Sequence, residues 1–159
     1  MRNDQPQDTT LRAARDLFRR YDGSRFYMSR DGTESEYLAF KVPSEIEQAW
    51  LAELTDEHIG SLGKRGNWWA INFFNQHGLV RHIDAALAAK PLGALWERTA
   101  YLELLWSMVT NRPRTVDSGT RDRVADYVRA EAERLLAAAR SDKSRHRVEQ
   151  LLANVNQGK

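Results

Sequence analysis

The chain contains no cysteine, which removes disulfides, thiolate zinc sites and cysteine nucleophiles together. It has no apolar run near the roughly 20 residues that span a bilayer, and its first 20 residues lack the apolar stretch of an export signal. A cytoplasmic protein that avoids the membrane is the expectation. Strong charge of one sign is also missing. The net charge is only +2, so the isoelectric point near 9.0 reflects a slight arginine excess and not a polybasic chain.

Several chemistries lack their residues. There is no Gly-x-Ser-x-Gly elbow, and the serines fall mostly in caps and turns. Ser107, inside an apolar helix, is expected to bond back to a carbonyl. Metal catalysis needs several ligands converging on one point. The histidines are His58, His77, His82 and His146; His77 and His82 lie about 140° apart on a helix. They are expected at the surface or in supporting roles, with no metal and no cofactor. The stretch Gly60 to Gly66, "GSLGKRG", lacks the early glycine and the final Ser or Thr of a phosphate-binding P-loop. No catalytic residues are assigned. An enzyme site, if present, would be sought near Glu97, Glu103, His77 and His82, although both acids read first as structural ion pairs.

What is present describes one folded domain. In 159 residues, 42% are apolar and 29% charged, enough for a single core. The ends, 1–7 and 157–159, are expected to be disordered. The predicted fold is predominantly α, an antiparallel helical bundle or a short stack of helical hairpins, with a small extended or hairpin element near 25–42. A helix starts at Asp8 or Thr9 and stops at Asp22-Gly23. Phe26 to Met28 reads as an extended arm before the Asp31-Gly32 turn, followed by a helical turn from Thr33. Ser44 and Glu47 have capping-box spacing for a helix to about Leu54. A glycine-rich loop follows, and Asn67 caps a helix that Gly78 ends or kinks. The stripe from Leu79 to about Ala89 is helical, and Pro91 opens a helix apolar on most sides, expected in the middle of the fold. Two further helices start at Asp117 or Ser118 and at Ser141-Asp142.

Charge is unevenly distributed. Residues 1–57 carry 8 basic and 12 acidic side chains, a balance of −4; residues 58–159 carry 16 and 10, a balance of +6. This suggests either complementarity between the two halves, the favoured reading, or a field that faces a partner.

Two basic groups stand out. Gly63 to Gly66 encloses Lys64 and Arg65 between two helices, and this Gly-x-x-Gly turn resembles the loop by which KH domains clamp a nucleic-acid backbone. The resemblance covers about a dozen residues; the sheet of a KH domain is not expected, because helix follows helix after Gly78. The second group, Arg140, Lys143, Arg145 and Arg147, surrounds a helix start, where cations oppose the helix dipole. A solvated face balanced by nearby acids is the favoured account. In "NWWAINFFNQ", Trp69, Phe73 and Phe74 are assigned to the core, leaving Trp68 and Asn72 on a more polar edge able to meet a ligand. The expected function is therefore a small soluble helical interaction or regulatory module without catalysis, with a protein partner or self-association. The alternative is a nucleic-acid or phosphoanion binder using the Gly63–Gly66 turn and the Arg140–Arg147 group.

Overall fold

The computed structural model describes residues 5–112 and 114–158, and among them it contains nine α-helices and no strand. The helices are α1 (Gln5–Arg20), α2 (Arg25–Arg30), α3 (Glu34–Ala39), α4 (Ser44–Ser61), α5 (Trp68–Gln76), α6 (Ile83–Ala88), α7 (Leu95–Thr110), α8 (Ser118–Ala138) and α9 (Asp142–Gln157). The chain is thus predominantly α-helical, with neighbouring helices packed on one another. It groups into two compact units; the first ends at Glu57 and the second begins at His58. That boundary separates the part with a charge balance of −4 from the part with +6. No described helix is long and apolar enough to cross a membrane.

In the first unit, the predicted extended arm is helix α2. Ser24 caps it by accepting the Tyr27 amide, and Asp31-Gly32 turns the chain into α3 without pairing strands. The same turn signal serves a helix–turn–helix because Met28 and Tyr37, one on each arm, are both buried. The capping pairs expected here do not form. Thr33 precedes α3 without a side-chain cap bond, and the Glu47 carboxylate is engaged elsewhere. Its Oε1 accepts both the Tyr37 hydroxyl and the Arg25 guanidinium, each at 2.6 Å, while that guanidinium lies 4.3 Å over the Tyr37 ring. Phe18 completes the core between Tyr37 and Trp50, with ring centres at 6.0 and 5.5 Å. Helix α1 begins at Gln5, ahead of the predicted Asp8 or Thr9 start. Residues 1–4 of the expected disordered end lie outside the described residues.

Four of the eight acids of residues 31–57 pair within the first unit. Arg15 pairs with Glu53, Arg19 with Glu53 and Glu57, Arg25 with Glu47 and Arg30 with Asp31.

The second unit is built around α7, which packs against α5, α8 and α9. Tyr101, Leu102, Leu105, Met108 and Val109 are fully buried along it, so the helix that is apolar on most sides is the central one of this unit. Helix α4 runs on to Ser61, through most of the predicted glycine loop, since Gly60 costs about 1 kcal/mol of helix propensity and does not break the helix. Gly78 ends α5 as predicted. At φ +63° it allows Leu79 to donate its amide to Phe74 and its own amide to bond Asn75, a left-handed stop. Arg112 donates to the Asn75 carbonyl at the end of α5. A 3₁₀ turn, Val80–His82, divides the predicted stripe before α6. Asp117 and Ser141 cap α8 and α9 as expected, accepting the amides of Thr120 and Ser144. At the other end of α9, Gln157 is helical and Gly158 forms the left-handed cap, so order extends into the predicted frayed tail. Lys159 lies outside the described residues.

Two tyrosines hold the end of α6. Tyr101 donates to the Ala86 carbonyl at 2.7 Å and Tyr127 to the Ala89 carbonyl at 2.6 Å. Burial raises the phenol pKa of Tyr37, Tyr101 and Tyr127 above the ordinary 10.0, with the Glu47 carboxylate adding to the effect at Tyr37. A folded-state pKa raised in this way contributes stability that is complete below pH 10 and lost as pH rises towards the folded values. The midpoint of urea unfolding is therefore expected to fall above pH 10. Absorbance at 295 nm should show these three phenols ionising only as the chain unfolds, and their ionisation in the folded protein at pH 10 would contradict this.

Candidate functional site

The turn between α4 and α5 is pinned by one side chain. Asn67 precedes α5 but makes no side-chain cap bond. Instead it is 1% exposed and reaches across to the segment 90–94. Its Nδ2 donates to the carbonyls of Leu62 and Lys90, each at 2.8 Å, and its Oδ1 accepts the Leu92 amide at 3.1 Å. The Gly66 amide adds a bond to Leu92 at 3.4 Å. Helix α7 consequently begins at Leu95, four residues beyond the predicted Pro91 start, because 91–94 is held as a strap. Glu97 closes that start by accepting the Ala94 amide at 2.6 Å. A side chain at Gly93 (φ +120°) would collide with this carboxylate. Glu97 is thereby structural.

This bracing brings the first turns of α5 and α7 together, and three indoles meet there. Trp68 lies edge-to-face with Trp69 at 5.1 Å and with Trp96 at 5.6 Å. Trp69 is 39% exposed and Trp96 54%, while Trp68 is half-buried between them. Asn72 is 8% exposed. The assignments within the aromatic stretch therefore change: Trp69 leaves the core, Asn72 joins it, and Trp96 is a surface residue that the apolar pattern of its helix concealed. Phe73 and Phe74 are core as expected, Phe73 stacking on His58 at 4.2 Å and facing His77 at 4.7 Å. Lys64 and Arg65 are exposed in the adjoining turn and form no ion pair among the described residues.

The second basic group is divided. Arg147 forms a two-pronged ion pair with Glu103, Nε to Oε1 at 2.8 Å and Nη2 to Oε2 at 2.5 Å, and the carboxylate holds the guanidinium pKa above its ordinary value. Arg140, Lys143 and Arg145 are exposed and make no ion pair among the described residues. Arg147 and Lys143 border a groove of about 560 Å³ between α7 and α9, with Trp106, Ser107 and Leu151 on its walls. Arg145 lies about 200° around α9 from Lys143 and faces elsewhere. The Gly63–Gly66 turn is anchored at the start of α7, whereas Arg147 is anchored at Glu103, six residues on from Glu97 and about 240° around the axis.

Sequence reasoning missed Trp96, Trp106 and Ser107. Ser107 does not bond back to a carbonyl; its Oγ accepts the side-chain amides of Asn111 at 2.6 Å and Asn75 at 3.3 Å. No group of three or more His, Asp or Glu able to hold a metal occurs among the described residues. No protein-family model matches the chain, and no curated protein or solved structure compared with it is significantly similar.

Proposed function

We propose that the protein is a helical interaction module that binds a protein partner through the Trp68–Trp69–Trp96 cluster. The observation that carries this reading is the pair of exposed indoles braced edge-to-face through Trp68. Large rigid aromatic groups supply most of the affinity of protein interfaces, and water-exposed indoles have no folding reason to be gathered together. Lys64 and Arg65 beside the cluster suit a partner that presents an apolar anchor flanked by carboxylates. The reading places the module in the cytoplasm, in keeping with its lack of cysteine.

The alternative, nucleic acid, draws on the same turn and the same tryptophans as a stacking platform. It is weaker because Arg147 is engaged by Glu103 and Arg145 faces away, leaving two unpaired cations at the turn.

Trp96→Ala separates folding from function. With its side chain half in water, it is expected to change unfolding free energy by no more than about 1 kcal/mol. Loss of an interface hot spot lowers affinity about 30-fold. The test is a photo-crosslinking residue placed at 63 in living cells, in the exposed turn before α5, with position 138 on the exposed side of α8 as reference. One protein recovered from 63 and not from 138, and lost on Trp69→Ala and on Trp96→Ala, is the expected result. A Lys64- and Arg65-dependent shift of single-stranded oligonucleotide at low salt, without such a crosslink, would replace it with the nucleic-acid reading.

A further inference from the structure

We infer that the segment received by the tryptophan cluster is an extended, proline-rich one with carboxylates beside its prolines. This rests on the reading of the cluster as a protein-binding site and names the chemistry of what binds there.

The polar side-chain groups around the indoles carry the argument, because they are donors. The indole N–H groups of Trp68 and Trp96 meet no acceptor among the described residues. That of Trp68 is open to water although its ring is half-buried, and Trp96 is 54% exposed. Lys64 and Arg65, exposed in the turn just before Trp68, add an ammonium and a guanidinium with no ion pair among the described residues. The acid next to Trp96 in the chain, Glu97, is committed to the start of α7 through the Ala94 amide.

A ligand that suits such a surface is rich in acceptors and poor in donors. Proline has no N–H, and the polyproline helix leaves every carbonyl without an internal partner, so a proline-rich segment has that composition. An α-helix spends its carbonyls on itself. An added strand brings amides that need acceptors along a sheet edge, and no strand occurs among the described residues.

The ring geometry agrees. Trp69 and Trp96 are inclined at 83° and 62° to Trp68, with their centres 5.1 and 5.6 Å from it, so the surface is stepped and not flat. A compact pyrrolidine ring can stack on an inclined indole face, whereas an α-helix, about 10 Å across, is too broad to enter between the rings. The centres of Trp69 and Trp96 are no farther apart than those two distances together, a span that three or four residues of polyproline helix cover at about 3.1 Å each. Prolines three residues apart lie on one side of that helix, one for each exposed indole.

Charge sets the flanks. An extended segment spreads its contacts over separate points, so carboxylates a few residues from the prolines meet Lys64 and Arg65 beyond the rings. Basic flanks would be repelled. The segment is also ordered before it docks, which lowers the entropy lost on binding.

The probe is a decapeptide with six prolines between two glutamates at each end, titrated by calorimetry into the full chain. Saturable binding is expected, weaker by at least tenfold when the prolines are replaced by alanines and by about fivefold when the glutamates are replaced by glutamines. Trp96→Ala should lower the affinity at least tenfold, and Lys64→Met combined with Arg65→Met about fivefold. Lys143→Met, in the groove between α7 and α9, should leave it unchanged, with thermal midpoints checking that every variant is folded. No saturable binding up to about 1 mM overturns the inference. So does an alanine or glutamine peptide that binds as well as the first, or a Trp96→Ala or Lys64→Met, Arg65→Met protein that binds like the parent. If the crosslink from position 63 is still obtained in any of these cases, the protein-binding reading stands and only the chemistry of the partner is overturned.

Discussion

Replacing Asn67 by alanine should destabilise the protein by about 3 kcal/mol, read from urea unfolding. The side chain makes three hydrogen bonds to backbone groups, and a buried bond of this kind contributes about 1 kcal/mol net. Its removal leaves two carbonyls and one amide facing a small cavity. Asn67→Asp tests the direction of those bonds, since it keeps the shape but presents oxygen to the Leu62 and Lys90 carbonyls. It should be at least as damaging at pH 7. Its penalty should shrink as pH falls, because a carboxyl held above its ordinary pKa binds a proton more tightly in the folded than in the unfolded chain. Both variants should also redshift tryptophan emission, because the bracing that gathers Trp68, Trp69 and Trp96 passes through this residue. An Asn67→Ala protein as stable as the parent would show that the turn and the strap are held independently.

The second large effect is expected at Glu47. One carboxylate oxygen accepts from Tyr37 and Arg25, and Tyr37 is almost completely buried. Glu47→Ala leaves a buried phenol without an acceptor. It also leaves a guanidinium whose Nη1 already has no partner among the described residues. Breaking a fully buried pair costs about 3–5 kcal/mol. Because the side chains of Arg25 and Glu47 are about one-third exposed, the expected loss is about 2 kcal/mol. Glu47→Gln keeps an acceptor for both donors and should recover about half of this. Equal losses for the two variants would mean that packing, not hydrogen bonding, makes the contribution.

The helical class was legible because the apolar period of 3.6 repeats along most of the chain, and several boundaries were legible because their signals act locally. Asp117, Ser141 and Gly78 each perform the expected task with backbone atoms no more than four residues away. Glu47 and Asn67 were misread for the opposite reason. Their local geometry offers a cap, but partners 10 to 25 residues away in sequence claim the side chain. The arm at 26–28 went wrong similarly, forming helix α2, whereas the helical turn expected from Thr33 forms as α3; burial of Met28 and Tyr37 decides between hairpin and helices, and burial is a tertiary fact.

The tryptophans show a different limit. A helical wheel gives the direction of a side chain around the axis, not what covers it. Trp69 and Trp96 each occupy the second residue of their helices and stay exposed, although Ala70, beside Trp69, is fully buried. Both therefore carry an apolar signature and an exposed side chain. Of the candidate binding residues, Lys64, Arg65 and Trp68 stay together, Lys143 and Arg147 share a groove, and Arg140, Arg145 and Asn72 fall outside both.

The two phenols on the end of α6 also bear on the order in which the chain is assembled. A helix of six residues lies far below the length at which the cost of nucleation is recovered in water, about 12–15 residues. The hydroxyls that hold the Ala86 and Ala89 carbonyls come from α7 and α8, later in the chain. Segment 83–88 is therefore synthesised before the residues that hold it as a helix, and it takes its final form only after its successors have docked.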